Sequence, residues 1–580
     1  MSLETLIPSL ILFPWLGSIL VWAMHDRNEK RIHMTASVVS IICALVSIQL
    51  TFQIGNQKIV YYTFGAALGE LSFSADAMGV ILVLIANVIG SLAVIFSMDY
   101  MQGERNLSRY YAMILLFIGA MSGLVLTANI FIMFFFWEVT ALCSYQLISF
   151  YNDDPNAVRG GLKALLMTQF GGVGLLFAAL MIFNQVHSFD LNVFAEAAVN
   201  VDIEQGVLAL IGFSLIIAAA AKSSQFPFFT WLPDAMEAPT PVSALIHAAT
   251  MVNAGIYLLS RFFPAFAAVP AWKETMIWVG LIGILLTSIL AITTYDLKRV
   301  LAYSTVSQLG YMFVAIGSGS VLAGQFHLLS HAIFKALLFL AAGAVIHACG
   351  TRDMRSMGGF FKRTPFVSTS FLIGALALTG IPILNGFWSK ELILESVHKE
   401  SSTLVLILML ISVGLTAIYT LRCFKMVFMG KNDYAHLHPS PPAMKTVLGI
   451  LSIGALTSWI AISWFSESLK QTLPYHAIES LNVTEMAHHI FSDPITCFAL
   501  GITTIGFLIA WLLPKKEFPE SLLKLSANSF GFDSITSGVV QSIIASAERI
   551  RCIQTGILNW NIFGLMVGLL GVLIILFMGR

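Results

Sequence analysis

The sequence predicts an all-α, polytopic membrane protein of about sixteen transmembrane helices, and three observations carry that prediction. Of 580 residues, 31 are Lys+Arg and 31 Asp+Glu, so 11% are charged against roughly 25% in a soluble domain. Hydrophobic residues make up 57% and mean hydropathy is +0.84. Apolar runs of about 20 residues, enough to cross a hydrocarbon core of about 30 Å, recur along the whole chain. This composition excludes a soluble enzyme and a disordered chain. A net charge of +0 also excludes a nucleic-acid binder, which needs a basic surface.

In order, the runs fall near 3–24, 34–54, 77–98, 111–128, 130–151, 162–184, 206–229, 240–262 and 273–293. They continue near 300–319, 326–348, 366–397, 403–424, 445–466, 493–513 and 559–578. Helices are the expected form, because backbone groups in lipid must be satisfied within the segment. The first run lacks a basic leading region and a small-residue cleavage site, so it reads as a span rather than a signal peptide. The longest stretch between spans, 514–558, leaves no room for a soluble domain.

Basic residues set the orientation. Stretches following odd-numbered spans carry 22 of the 31, from Arg27, Lys30 and Arg31 to Arg549 and Arg551. The other side has Lys58, Arg261, Lys273, Lys399, Lys470 and Arg580. This bias predicts a multi-pass protein of the cell (inner or plasma) membrane with both termini outside. The six cysteines are scattered singly with no C-x-x-C pair, which leaves no framework for an iron–sulfur or zinc centre.

Three lysines remain within the spans: Lys222, Lys335 and Lys390, joined by Glu138. A charge at the bilayer centre costs at least about 2.5–3.5 kcal/mol, and such residues mark ion paths by default. Lys222 follows four alanines, and Lys390 follows Trp388-Ser389. His327, His331 and Lys335 are spaced i, i+4, i+8 and share one helix face. Three other readings stand beside the ion path: a Glu–Lys pair locking two helices, lysines snorkelling to the surface, and a haem or metal on the two histidines. Ser304, Thr305, Ser307 and Gln308 suit either a hydrated chain or bonding between helices.

Helix breakers favour the path. Pro227 and Pro233 follow Lys222, while Gly380 and Pro382 precede Lys390. Proline frees the carbonyl one turn earlier, which in a membrane is tolerated where it lines protein or a wet cavity. Two interrupted helices five spans apart match repeated transporter halves, and an odd offset makes the repeats inverted. The expected organisation is helices 1–3 over 1–110 and a first five-helix repeat (helices 4–8) over 111–262. A second, inverted repeat (helices 9–13) covers 273–424, and helices 14–16 with a short inside-facing linker cover 425–580.

Several motifs then resemble a known family. They are Trp137-Glu138, Lys222 to Pro227, the run Trp231-Leu232-Pro233-Asp234-Ala235-Met236-Glu237-Ala238-Pro239-Thr240-Pro241, and its continuation Leu245 to Val252. Asp296-Leu297-Lys298 leading into Ala302 to Gln308, then His331 to Lys335, and Gly386-Phe387-Trp388-Ser389-Lys390-Glu391 complete the set. Together, over roughly 75–400, they resemble the antiporter-like subunits of respiratory complex I and of Mrp antiporters. The last motif is most like the L-type, or subunit-5 type.

The resemblance implies roles. Glu138 pairs with Lys222, His247 links onward, Lys335 with His327 and His331 carries the proton, and Lys390 is the terminal group on the exit side. It implies a proton-translocating, or Na+/H+, subunit of an NADH-quinone-oxidoreductase-type complex. Alternatives are a gradient-driven Mrp-type antiporter, the membrane partner of a bicarbonate or CO2 uptake system, and a membrane-bound hydrogenase subunit. The chain has no nucleotide-binding glycine pattern, so it is expected to hold no cofactor or metal and to pump for redox chemistry done elsewhere. Expected partners are other membrane subunits and lipids, with protons, or sodium, as substrate and no nucleic acid.

Two departures stand out. Gln169 and Gly172 occupy positions where L-type subunits usually carry an arginine and an aspartate. About 20 residues lie between Gly531-Phe532-Asp533 and Gln554-Thr555-Gly556, where the L-type has a long lateral helix, so a full-length coupling arm is not expected.

Overall fold

The computed structural model describes residues 2–551 except 66–68, 431–440, 474 and 513–517. The expected span at 559–578 lies outside the described residues. The chain forms two units, 1–527 and 528–580.

In the first unit, α1 (Leu3–Trp22) and α2 (Glu29–Leu50) lead to a two-stranded antiparallel hairpin, β1 (Lys58–Thr63) and β2 (Glu70–Ser74). Next come α3 (Ala77–Tyr100), α4 (Leu107–Leu126), α5 (Ile130–Ile148), α6 (Pro155–Val186), the short α7 (Leu191–Val199) and α8 (Gln205–Lys222). The middle of the chain holds α9 (Trp231–Asp234), α10 (Thr240–Ala244), α11 (Asn253–Phe266), α12 (Trp272–Thr293), α13 (Leu297–Gly317) and α14 (Val321–Cys349). There follow α15 (Phe360–Arg363), α16 (Pro365–Thr379), α17 (Asn385–Glu400), α18 (Thr403–Phe428), α19 (Pro442–Thr457) and α20 (Ile462–Thr472). Then come α21 (Val483–Ser492), α22 (Pro494–Leu512) and α23 (Glu520–Ala527). The second unit contains α24 (Phe532–Arg551).

Helix starts obey local chemistry. Asp76, Asn129, Asp154 and Asp296 cap α3, α5, α6 and α13 by accepting from backbone N–H groups, and Pro155 takes the first position of α6. Among the described residues, fourteen helical segments are long and apolar enough to cross a membrane. The all-α, multi-pass class holds, with the β1–β2 hairpin as the exception.

Three expected spans take a different form. The run at 206–229 is helical only to Lys222; beyond it the backbone turns at Ser224, whose φ is 54°. The run at 240–262 contains a π-helical turn, Leu245–Ala249, and a non-helical Thr250. The run at 366–397 is split into α16 and α17 by a turn with Gly380 at φ 79° and Ile383 at φ 83°. Among the described residues, fourteen segments and the divided α16–α17 pair account for fifteen of the sixteen expected spans, the last of which lies outside them. Within 514–558, read as a connecting stretch, Phe532–Arg551 is helical.

The core lies on α13, where every residue from Val300 to Gly317 is buried, on α14 packed against it, and on α3 packed against α14. The rim faces outward with apolar side chains: Leu16 and Ile19 on α1 are 62% and 64% exposed, and Phe170 and Val173 on α6 are 59% and 65% exposed. Such surfaces suit lipid. At one end Asp234 receives both Lys163 (2.7 Å) and Arg299 (3.2 Å), and Arg352 joins Glu237 (2.9 Å) and Asp296 (3.3 Å). At the other, half-buried Arg261 clasps Asp76 at 2.8 Å, and Lys58 holds Glu70 (2.6 Å) and Asp190.

Two consequences for stability follow. A Cβ on Gly386 falls 1.9 Å from the Ala377 carbonyl oxygen, so α17 can return against α16 only with glycine there. Gly386→Ala is expected to cost about 1–3 kcal/mol, read as a lowered Tm in detergent. Outside the spans, burial holds the His476 imidazole down at about 4, although its bond to the Ser260 carbonyl (2.8 Å) opposes this and the Arg261 charge adds to it. An unfolded histidine protonates near 6.5, so its contribution is complete above that pH and is lost as pH falls toward 4, by at most about 3 kcal/mol. Tm measured from pH 7 to 4.5 should drop less in His476→Gln than in the parent.

Candidate functional site

The breaks in the helices position the site. Lys222 ends α8, where unsatisfied carbonyls and the negative end of the helix dipole favour a cation. Its side chain is 0% exposed, donates to the Trp137 carbonyl oxygen at 2.8 Å, and lies 4.7 Å from the centre of the Trp137 ring. Just beyond it, Ser223 donates to the Val252 carbonyl (2.7 Å). The break after α8 thus meets the break before α11. Gly255 permits the approach, since a Cβ there would sit 2.3 Å from the Ser223 hydroxyl and 2.5 Å from the Ala219 oxygen.

Glu138 does not form an ion pair with Lys222 here. It is half-buried, on the outward stripe of α5 between Phe135 and Leu142, which are 50% and 52% exposed. Its Oε1 makes no hydrogen bond and rests against Gly172, where a Cβ would lie only 2.2 Å away; the Gln169 side chain is alongside. The two departures on α6 thereby acquire a physical meaning. Where an aspartate was expected, the carboxylate of Glu138 itself takes the space.

His247 sits in the π-helical turn, fully buried and stacked on Phe339 with centroids 5.4 Å apart. A π turn and the non-helical residue after it leave carbonyls exposed, and here Thr250 donates to Leu245 O (2.8 Å) and Asn253 to Ala248 O (2.7 Å). Neither ring nitrogen of His247 has a partner. Sequence periodicity alone does not reveal this turn, because its residues are as apolar as a regular span.

Along α14, Lys335 donates to the Ser304 hydroxyl at 2.5 Å and lies 3.5 Å from Leu301 O. His331 has no partner on either nitrogen, and its ring centre is 6.5 Å from that of His327. His327 Nδ1 meets the Ser389 hydroxyl at 2.9 Å, beside Lys390. Lys390, 2% exposed, points to Leu378 O at 3.4 Å and lies 4.8 Å from the centre of the Tyr311 ring. The helix-face grouping of 327, 331 and 335 is thus present, and it runs from Ser304 to Ser389.

Other residues of the quoted motifs join the site, Gln308 among them, which the sequence offered for a hydrated chain or for bonding between helices. Gln225 donates to Ser223 O (3.1 Å) and Val306 O (3.0 Å), in space left by Gly283 and Gly310. Gln308 is fully buried with both amide atoms unpartnered. Lys298, read as a loop residue, is 3% exposed and donates to Ala238 O at 2.5 Å. Its signal was the adjoining motif Asp296-Leu297-Lys298, which starts α13 rather than preceding it. Among the described residues, no three His, Cys, Asp or Glu side chains converge as a metal-ligand set.

Comparison with known proteins gives two family matches. Residues 127–416 match the model for NADH:quinone oxidoreductase/Mrp antiporter transmembrane segments, and 64–111 match that for the N-terminus of complex I chain 5. The chain is 37% identical to a chloroplastic NAD(P)H-quinone oxidoreductase subunit 5 of Physcomitrium patens, covering 72% of this chain and 62% of that protein. It is 33% identical to Na(+)/H(+) antiporter subunit A1 of Staphylococcus aureus, covering 88% and 69%. The fold is like that of a chain of the Mrp complex from Dietzia sp. DQ12-45-1b, with TM-score 0.79, 24% identity and coverage of 99% and 63%. The chain therefore spans less than two thirds of the moss relative and of the Dietzia chain.

The seat of Glu138 is testable by structure. Gly172→Ala is expected to drive the carboxylate off α6 toward Lys222, closing an ion pair in a structure of the variant. Its overpacking cost should be about 1–3 kcal/mol. An unmoved Glu138 in that structure would contradict the steric account.

Proposed function

The chain belongs to the NADH:quinone oxidoreductase/Mrp antiporter membrane family, and from that membership we propose that it is a proton-translocating, antiporter-like subunit of a larger membrane complex. The observation that carries this reading is a series of buried ionisable groups, Lys222, His247, Lys335, His331, His327 and Lys390, with no carboxylate ion-paired to any of them among the described residues. Their contacts are neutral carbonyls, hydroxyls and rings. A group so held is able to exist with or without its proton. Glu138 supplies the switch: on α6 it is open, and swung to Lys222 it favours the ammonium.

The magnitudes suit that task. Moving one charge against about 200 mV requires roughly 4.6 kcal/mol, at about 2.3 kcal/mol per 100 mV. A carboxylate brought to about 4 Å from an ammonium returns roughly 4 kcal/mol at an effective dielectric near 20. Closing and opening the Glu138–Lys222 pair is therefore of the right size. His247 links onward, Lys335 with the two histidines carries the proton, and Lys390 releases it on the exit side.

The host is read as an NADH-quinone-oxidoreductase-type complex in the cell membrane, with both termini outside by the bias of basic residues. The outward stripe around Glu138 suits a neighbouring membrane subunit. A gradient-driven, Mrp-type antiporter moving sodium against protons is the second reading. It is favoured by the extent of similarity, 88% of the chain with the staphylococcal antiporter subunit against 72% with the chloroplastic one.

In the native complex reconstituted into sealed vesicles, Lys222→Met should lower proton translocation at least about tenfold, corresponding to about 1.4 kcal/mol or more, with assembly unchanged. Lys222→Arg should fail equally, because arginine does not release its proton in proteins. Full-rate transport by assembled Lys222→Met would refute the role assigned to this lysine.

A further inference from the structure

We propose that the segment 475–482, which joins α20 to α21 and which His476 pins to α11, is a lid on the outer mouth of the proton path. Protonation of His476 lets it lift. The proposal rests on the path and the orientation read above. The pin has a cause in the sequence. Pro264, inside α11, has no N–H for the carbonyl four residues earlier, so the Ser260 oxygen is left open. His476 Nε2 meets that oxygen at 2.8 Å. A carbonyl only accepts, so Nε2 carries the hydrogen and donates. The Ser260 hydroxyl in turn accepts from Gln325 of α14 at 2.7 Å, two residues before His327. Elsewhere the segment is held lightly. Ile478 is 8% exposed and the Ser466 hydroxyl bonds Leu481, while Tyr475, Ala477 and Glu479 are exposed.

Two cavities meet at His476. One, of about 390 Å³, is bounded by Val321 to Ala323 of α14, by Leu392, Glu395 and Ser396 of α17, and by His476 and Ile478. The other, of about 280 Å³, has Asp76 of α3 and Pro264 of α11 in its wall, and His476 again. The imidazole is thus a partition. The larger cavity lies at the outer ends of the two helices that carry the last groups of the path. At about 1.5 Å per residue, Ala323 is about 6 Å along α14 from His327, and Leu392 about 3 Å along α17 from Lys390. Lifting the segment removes one wall of this cavity and merges the two.

Charge decides when the pin holds. Desolvation and the Arg261 guanidinium resist a cation at His476, while the Ser260 carbonyl and the Asp76 carboxylate favour one. Resistance wins, and the pinned imidazole is held down at about 4. Across the larger cavity, Glu395 is engaged by Lys399 (2.6 Å) and His489 (3.1 Å), with Lys273, Glu400 and Glu479 also on the wall. A lifted, hydrated imidazole protonates near 6.5. Acid therefore favours the lifted form. Between pH 7.5 and 5 these two values raise the ratio of lifted to pinned about 30-fold.

The test uses the native complex in sealed vesicles, with the face read as outside turned outward and the medium at pH 7.5 or 5. Amide hydrogen exchange over 475–482, corrected for its intrinsic pH dependence, reads the opening. Opening should rise about 30-fold at pH 5. His476→Gln keeps an N–H for the Ser260 carbonyl but takes up no proton, so its opening should stay flat. No rise in the parent, or an equal rise in the variant, which keeps His489 and Glu395, would overturn the proposal. Pro264→Ala gives the Ser260 carbonyl a partner within α11 and should raise opening at pH 7.5 about two- to tenfold, the worth of a typical hydrogen bond. Unchanged opening there would count against the pin as well. An internal pH-sensitive dye then reads proton entry at a matched pH difference. The ratio of entry rates at outer pH 5 and 7.5 should be larger in the parent than in His476→Gln, and equal ratios would sink the lid. Exchange needs no transport, so it remains readable if the path itself is wrong, which full-rate transport by Lys222→Met would show separately.

Discussion

Ammonium groups placed among apolar helices without a countercharge govern this architecture. Lys222, Lys335 and Lys390 are at most 2% exposed, and none makes an ion pair among the described residues. Removing such a charge from water is costly unless it is hydrogen-bonded. Regular helices leave few acceptors in a bilayer, because their carbonyls are already occupied. The interruptions answer this need. Lys222 lies where α8 ends, and Lys390 reaches the Leu378 carbonyl in the last turn of α16, just before the chain breaks. Lys335, on an unbroken helix, takes a hydroxyl instead.

Small residues make the same arrangement sterically possible. Gly172 leaves the space that Glu138 occupies, Gly255 lets α11 approach the turn after Lys222, and Gly283 with Gly310 makes room for the Gln225 amide. None of these glycines needs an unusual backbone angle. Each is required for closeness, and each marks a point where a polar group would otherwise meet a methyl.

Much of this was legible in the sequence, though unevenly. Apolar runs gave the membrane helices, and buried lysines near proline and glycine gave Lys222 and Lys390, because insertion cost and backbone breaking are properties of single residues. The helical period placed His327, His331 and Lys335 together. The π turn at His247 was hidden, since Leu245 to Ala249 read as ordinary apolar helix and the turn is held by Thr250 and Asn253. Equally hidden was the open Glu138. Its position depends on a glycine one helix away, and no local pattern encodes the space between helices.

The charged clasps at the two ends carry a mechanical meaning. Asp234 binds Lys163 of α6 and Arg299 of α13, while Arg261 of α11 grips Asp76 at the start of α3. Helices tethered in this way cannot splay at either mouth without leaving charges stranded. The scaffold then resembles a riveted frame, in which side chains are freer to move than the segments that carry them.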